Sequence, residues 1–209
     1  DVSGTDSTAQ GNTAFGITAM DAITTGDNNT AIGEQSLTSI TTGSANTAVG
    51  RLSLKTVSTG VNNIAVGYEA LKANNGDANV AIGYQALLAN TTGASNIAIG
   101  STALGATTTG ARNIAIGSNA LDLQDTENDN IAIGYNAMTT DNQGGTLNIA
   151  IGNYAMDAHT SGDQNTAIGH NALSANTTAE NNTAVGVNAL LTNDGSNNTA
   201  VGVHSLKLN

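Results

Sequence analysis

The side chains able to do acid–base or metal chemistry are few and scattered. His159, His170 and His204 fall at different places in the chain's repeating pattern, so they form no ligand set and read as exposed loop residues. Cysteine is absent, which excludes disulfides, thiolate ligands and thiol nucleophiles. No serine sits in a nucleophile elbow, and there is no phosphate-binding loop or dinucleotide fingerprint. The densest run of oxygen ligands is Asp122-Leu123-Gln124-Asp125-Thr126-Glu127-Asn128-Asp129. Oxygen at that density could hold Ca²⁺, yet the run lacks both the spacing and glycine of an EF-hand and a glycine-rich calcium nonapeptide. A solvated acidic loop is the plainer reading. No catalytic residue, cofactor or metal site is expected, and the chain does not read as an enzyme. The chemistry left is recognition, for which Tyr68, Tyr84, Tyr135 and Tyr154 are the candidate outer contacts, since tyrosine offers area at low entropic cost.

What positions these residues is a repeat. The phrase Asn-x-Ala-(Ile/Val/Phe)-Gly starts at Asn12, Asn29, Asn46, Asn63, Asn79, Asn96, Asn113, Asn130, Asn148, Asn165, Asn182 and Asn198, a period of about seventeen residues. So short and regular a period is the mark of a solenoid, in which each unit contacts its neighbours. The organisation expected is a lead-in over residues 1–11 and a solenoid of twelve coils over 12–209. At about 4.7–4.9 Å per stacked coil the rod would be on the order of 58 Å long.

Within one unit, β-branched residues on either side of Ala favour a short strand, with the two branched residues on one face and Ala on the other. The glycine ends it. Four residues later every copy is aliphatic, from Met20, Leu37 and Leu54 to Leu173, Leu190 and Leu206, and this column should point inward. Thr-Thr-Gly, as at Thr41-Thr42-Gly43, is a turn by composition. The stretch between, such as Tyr84-Gln85-Ala86-Leu87, fits either a second strand or one or two helical turns. The fold class expected is all-β, a parallel β-solenoid. The recurring Asn suits a ladder of amides, each donating to one coil and accepting from the next.

Composition bounds the partners. The formal charge is −11 and the only cations are Arg51, Lys55, Lys72, Arg112 and Lys207, which argues against nucleic acid and anionic membranes. No segment approaches a membrane span, and Asp1 reads as a mature or excised start. Proline is absent, as expected of strands paired on both edges. Each coil offers few aliphatic side chains against the cost of ordering seventeen residues, so self-association is expected. Position two of the motif is Thr towards both ends (Thr13, Thr30, Thr47, Thr166, Thr183, Thr199) and aliphatic in the middle, as at Ile64, Ile97 and Ile114. Such tolerance suits a boundary with room for water.

Units such as Asn96-Ile97-Ala98-Ile99-Gly100 resemble the head-domain repeats of trimeric autotransporter adhesins and are similar to repeats of bacterial and phage tail-fibre-like proteins. The resemblance spans residues 12–206, although the adhesin repeats are typically shorter. It implies a left-handed parallel β-roll, a homotrimer, and an inward role for Ile64 and Val66, Ile97 and Ile99 and their counterparts. The function it implies is a structural or adhesive module, extracellular, on a cell surface or virion, meeting a host, matrix or glycan ligand. Two alternatives stay open. Threonine columns could bind ice, although Thr41 and Thr42 would face opposite ways in a strand and the column breaks at Thr126-Glu127-Asn128. Coils could also stack end to end into a filament.

Overall fold

The computed structural model describes residues 8–123, 126–140, 145–192 and 194–207. It is a parallel β-solenoid. Twelve three-residue strands form one sheet in sequence order. They are β1 (Thr13–Phe15), β2 (Thr30–Ile32), β3 (Thr47–Val49), β4 (Ile64–Val66), β5 (Val80–Ile82) and β6 (Ile97–Ile99), followed by β7 (Ile114–Ile116), β8 (Ile131–Ile133), β9 (Ile149–Ile151), β10 (Thr166–Ile168), β11 (Thr183–Val185) and β12 (Thr199–Val201). Every pairing keeps the motif in register, so Ala98 lies beside Ala115 and Ile99 beside Ile116. No helix of the described residues is long and apolar enough to cross a membrane.

The strands are short because glycine turns the corner after each one. These glycines hold φ between +126° and +147°, a region open in practice to glycine alone. A methyl group there would also run into the backbone of the next coil, as at Gly100 against the carbonyl of Gly117. The column is therefore glycine for two reasons, dihedral and steric.

The segment after the corner is neither a second strand nor helical turns. It is a chain of turns with a left-handed residue at alternate positions, such as Gln85 (φ 53°) and Leu87 (φ 51°). A third left-handed residue precedes each motif Asn, filled by Asn28, Asn62, Asn181 and Asn197 but also by Ala45, Arg112 and Leu147. Asn tolerates this region; Leu costs roughly 1–2 kcal/mol there. Hydrogen bonding between coils offsets the cost. Leu87 N–H donates to Ala103 O at 3.0 Å and Leu104 N–H to Ala120 O at 3.0 Å.

Inside the coils lie the strand Ala, the Ala or Ser three residues past the glycine, and the Leu or Met after it. The inward column holds as expected in eleven coils, and in the last coil Leu206 is 46 % exposed. The two branched positions of each strand behave otherwise. The expectation that Ile64 and Val66, or Ile97 and Ile99, point inward is corrected within one chain: Ala65 and Ala98 are fully buried, while Ile64 is 41 % and Ile99 36 % exposed. The coil is too narrow to hold a leucine column and two further branched columns, so the smallest side chain faces in.

The asparagine ladder is present along the whole stack. Asn46 N–H donates to Asn29 Oδ1 at 3.0 Å and its amide nitrogen to Gly60 O at 2.8 Å, and the pattern repeats from Asn29 to Asn198. Ten of these amides are fully buried, from Asn29 to Asn182. Each closes the turn that precedes the next strand, which is why the motif starts with Asn.

Candidate interaction surfaces

Two surfaces stand out, and both follow from stacking identical coils. The first is the strand face. Because Ala points in, the flanking positions build two outward columns, aliphatic at both places from β4 to β9. Ile32, Ile64, Ile82, Ile99 and Ile168 are each more than a third exposed. The Thr13, Thr30 and Thr47 hydroxyls lie on this outward face, as a position of mixed Thr and Ile requires.

The second surface is the residue just past each glycine corner. From the second coil to the eighth this column reads Glu34, Arg51, Tyr68, Tyr84, Ser101, Ser118, Tyr135. Glu34, Arg51, Tyr68 and Tyr84 form one chain. Arg51 Nε donates to Glu34 Oε2 at 3.0 Å, its guanidinium lies 5.7 Å from the Tyr68 ring centre, and Tyr68 stacks on Tyr84 at 5.6 Å and 14°. Beside them Glu69 accepts from Lys72 Nζ at 2.7 Å and Gln85 Nε2 at 2.8 Å. The Lys72 bond, then the Gln85 bond, hold its carboxyl below the usual range. Tyr135 meets Tyr154 edge to face at 5.4 Å, and Tyr154 meets His170 at 5.9 Å. The four tyrosines singled out in sequence thus make two groups, and Tyr154 sits one column over, at a left-handed position.

Next to Ser118 and Tyr135 an open hollow of about 420 Å³ is lined by Asn119, Asp122, Leu123, Asn136, Thr139 and Thr140. A relay runs along it: Thr102 Oγ1 donates to Asn119 Oδ1 at 2.7 Å, and Asn119 Nδ2 to Asn136 Oδ1 at 3.0 Å. Asn136 Nδ2 has no partner among the described residues. Burial pushes the Asp122 carboxyl up, against a hydrogen bond from the Gly105 N–H.

The acidic run is partly outside the described residues, since Gln124 and Asp125 are not among them. Of the rest, Asp129 is engaged by Arg112 at 2.6 and 2.7 Å, and Asn128 Oδ1 accepts Ala111 N–H at 2.7 Å. Glu127 is buried and accepts Thr126 N–H at 2.9 Å. Among the described residues no three His, Cys, Asp or Glu converge on one point. The repeat that follows β8 is one residue longer than most and carries Asp141-Asn142-Gln143-Gly144-Gly145, of which the first four lie outside the described residues.

Histidine placement needs a correction. His170 and His204 are exposed, but His159 is buried at 1 % exposure. Its column, three residues after the inward Leu or Met, starts aliphatic with Ile23, Ile40 and Val57, then turns polar with Asn74, Asn90, Thr107, His159 and Asn176, all buried. Asn90 Nδ2 donates to Asn74 Oδ1 at 2.8 Å and to Gly93 O at 2.9 Å, making a second, shorter amide ladder. His159 Nε2 takes the same place against Gly162 O at 2.7 Å, while Nδ1 meets no partner at hydrogen-bond geometry among the described residues. A glycine three residues on (Gly93, Gly162) was the available sequence signal for both.

Comparison of the chain with protein-family models, curated proteins and solved structures returned no match.

Proposed function

We propose that this solenoid is a structural and adhesive module: copies of the chain pack through their strand faces into a homotrimeric rod at a cell or virion surface. The outer columns then meet a host, matrix or glycan ligand. The observation that carries this reading is the pair of outward columns running in register over twelve strands, aliphatic at both places from β4 to β9. Contiguous apolar surface of that kind marks an interaction site. Three copies, the number taken from the resemblance to adhesin heads, would bury these columns about a common axis. They would also present three parallel sets of weak contacts, adding avidity. Light scattering during size-exclusion chromatography tests it. A mass three times 20.7 kDa is expected, and a 20.7 kDa monomer overturns the trimer.

Ice binding remains the second reading, favoured by one observation. Thr30 and Thr47 stand in register on an outward, regularly spaced face. Against it, the turn threonines are occupied: Thr41 Oγ1 donates to Ser58 O at 3.1 Å and Thr91 Oγ1 to Thr108 O at 3.0 Å. Thermal hysteresis of a monomeric sample would revive it.

A further inference from the structure

The column past the glycine corner works as a ladder of flat groups until it stops. Arg51 lies over Tyr68 and Tyr68 over Tyr84, so one face of Tyr84 is covered. The opposite face looks along the rod to the step where Ser101 stands, and Tyr84 is 52 % exposed. Ser101 and Ser118 leave two steps unfilled before the ladder resumes at Tyr135, itself 44 % exposed. Each step is about 4.8 Å along the stack, close to the thickness of one ring with its contacts. The protein's own stacked pair is spaced 5.6 Å. The gap therefore admits two ring-sized groups with tyrosine at each end.

We propose that this gap is a saccharide-binding subsite for a neutral oligosaccharide that crosses the rod, with one pyranose lying flat on the open face of Tyr84. The proposal rests on the adhesive reading above and names the ligand class for it. A pyranose presents a face of C–H groups and an edge of hydroxyls that both donate and accept. The C–H face matches the open ring of Tyr84. The hydroxyl edge meets polar groups: Ser101 and Ser118 hold the two unfilled steps, and Asn119, which follows Ser118, and Asn136, which follows Tyr135, line the hollow together with Asp122. Neutrality follows from charge. A chain at −11 with a carboxyl in the site and no cation lining the hollow disfavours sulfated, sialylated or phosphorylated ligands. The subsite lies past the corner and off the strand face, so packing of strand faces and occupation of the gap need not compete.

The chain has no Trp, so its emission comes from four tyrosines, and binding at the gap reads out directly. Cellohexaose, maltohexaose and N-acetylchitohexaose, with a heparin hexasaccharide as the anionic counterpart, would be titrated at millimolar concentration against tyrosine emission and saturation-transfer NMR. At least one neutral hexasaccharide should bind saturably. Tyr84→Ala removes the platform, and Ser101→Tyr extends the ladder into the gap; each should weaken binding about tenfold or more. His204→Ala, at the far end, should leave it unchanged. Circular dichroism on every variant separates loss of binding from loss of fold, and Ser101→Tyr keeps the test alive if Tyr84→Ala unfolds. No binding by any neutral hexasaccharide, or binding indifferent to both variants, overturns the subsite. So does binding confined to heparin. Light scattering on the same samples keeps the two ideas apart. A trimer that binds no sugar loses the subsite alone, and a monomer that binds through Tyr84 loses the trimer alone.

Discussion

Histidine at 159 stands where neighbouring coils place Asn90 and Asn176, in a site where a charge has little solvation. Burial lowers its pKa from 6.5, opposed by the Gly162 carbonyl, Asn176 and the charge of Asp163. The unfolded chain therefore takes up the proton first as pH falls. The stability His159 allows is complete above pH 6.5 and is lost as the pH drops from there towards the lowered value. Asp122 and Asp157 act in the opposite sense, because burial raises both above 3.8 and protonating them relieves a penalty. His159→Asn, which can keep the bond to Gly162, should flatten the fall in melting temperature between neutral pH and about pH 5. An unchanged slope would remove His159 as its source. Glycine is the other residue whose role is decided atom by atom. Gly100→Ala meets both a forbidden dihedral and the Gly117 carbonyl, and should cost at least the ~1–3 kcal/mol of a strained backbone, measured by denaturant titration.

At the scale of one coil, stability comes from groups that stack rather than from groups within the coil. Asn113 Oδ1 accepts Asn130 N–H at 3.0 Å, and its amide nitrogen donates to Glu127 O at 2.8 Å. Asn113→Ala orphans both partners, and each buried orphan costs about 1–3 kcal/mol, so urea unfolding should shift by that order or more. Leu104→Ala, in a fully buried column, should cost about 2–5 kcal/mol. Since each coil touches its neighbours alone, losses should depend on position. Hydrogen exchange should be slowest in the ladder amides of the middle coils and fastest in the coils of β1 and β12, where Phe15 and Val201 are 77 % and 68 % exposed. Uniform protection along the stack would contradict that one-dimensional account.

At the scale of the molecule, the proposed assembly is tested at the strand face. Ile114→Asp with Ile116→Asp places carboxylates on both outward columns without touching Ala115, which is fully buried. If the proposed trimer forms, this variant should have the mass of one chain while the circular dichroism of the solenoid persists. If the mass is unchanged, the copies meet elsewhere.

The sequence by itself determined the solenoid, its period, the inward Leu and Met column and the asparagine ladder, because each is a one-dimensional property repeated every coil. It also marked the tyrosines as outward. What it left undecided was the direction of short segments. A three-residue strand carries too little alternation to say which face is inside, and the coil's narrow interior settled that in favour of Ala over Ile. The turn segment was illegible for a related reason. Left-handed φ at Leu37 or Leu87 contradicts local preference and is held by hydrogen bonds to the next coil. The same holds for His159, whose burial depends on its column. The gap between Tyr84 and Tyr135 exists only once coils are stacked, since fifty-one residues separate two rings that the fold sets three steps apart.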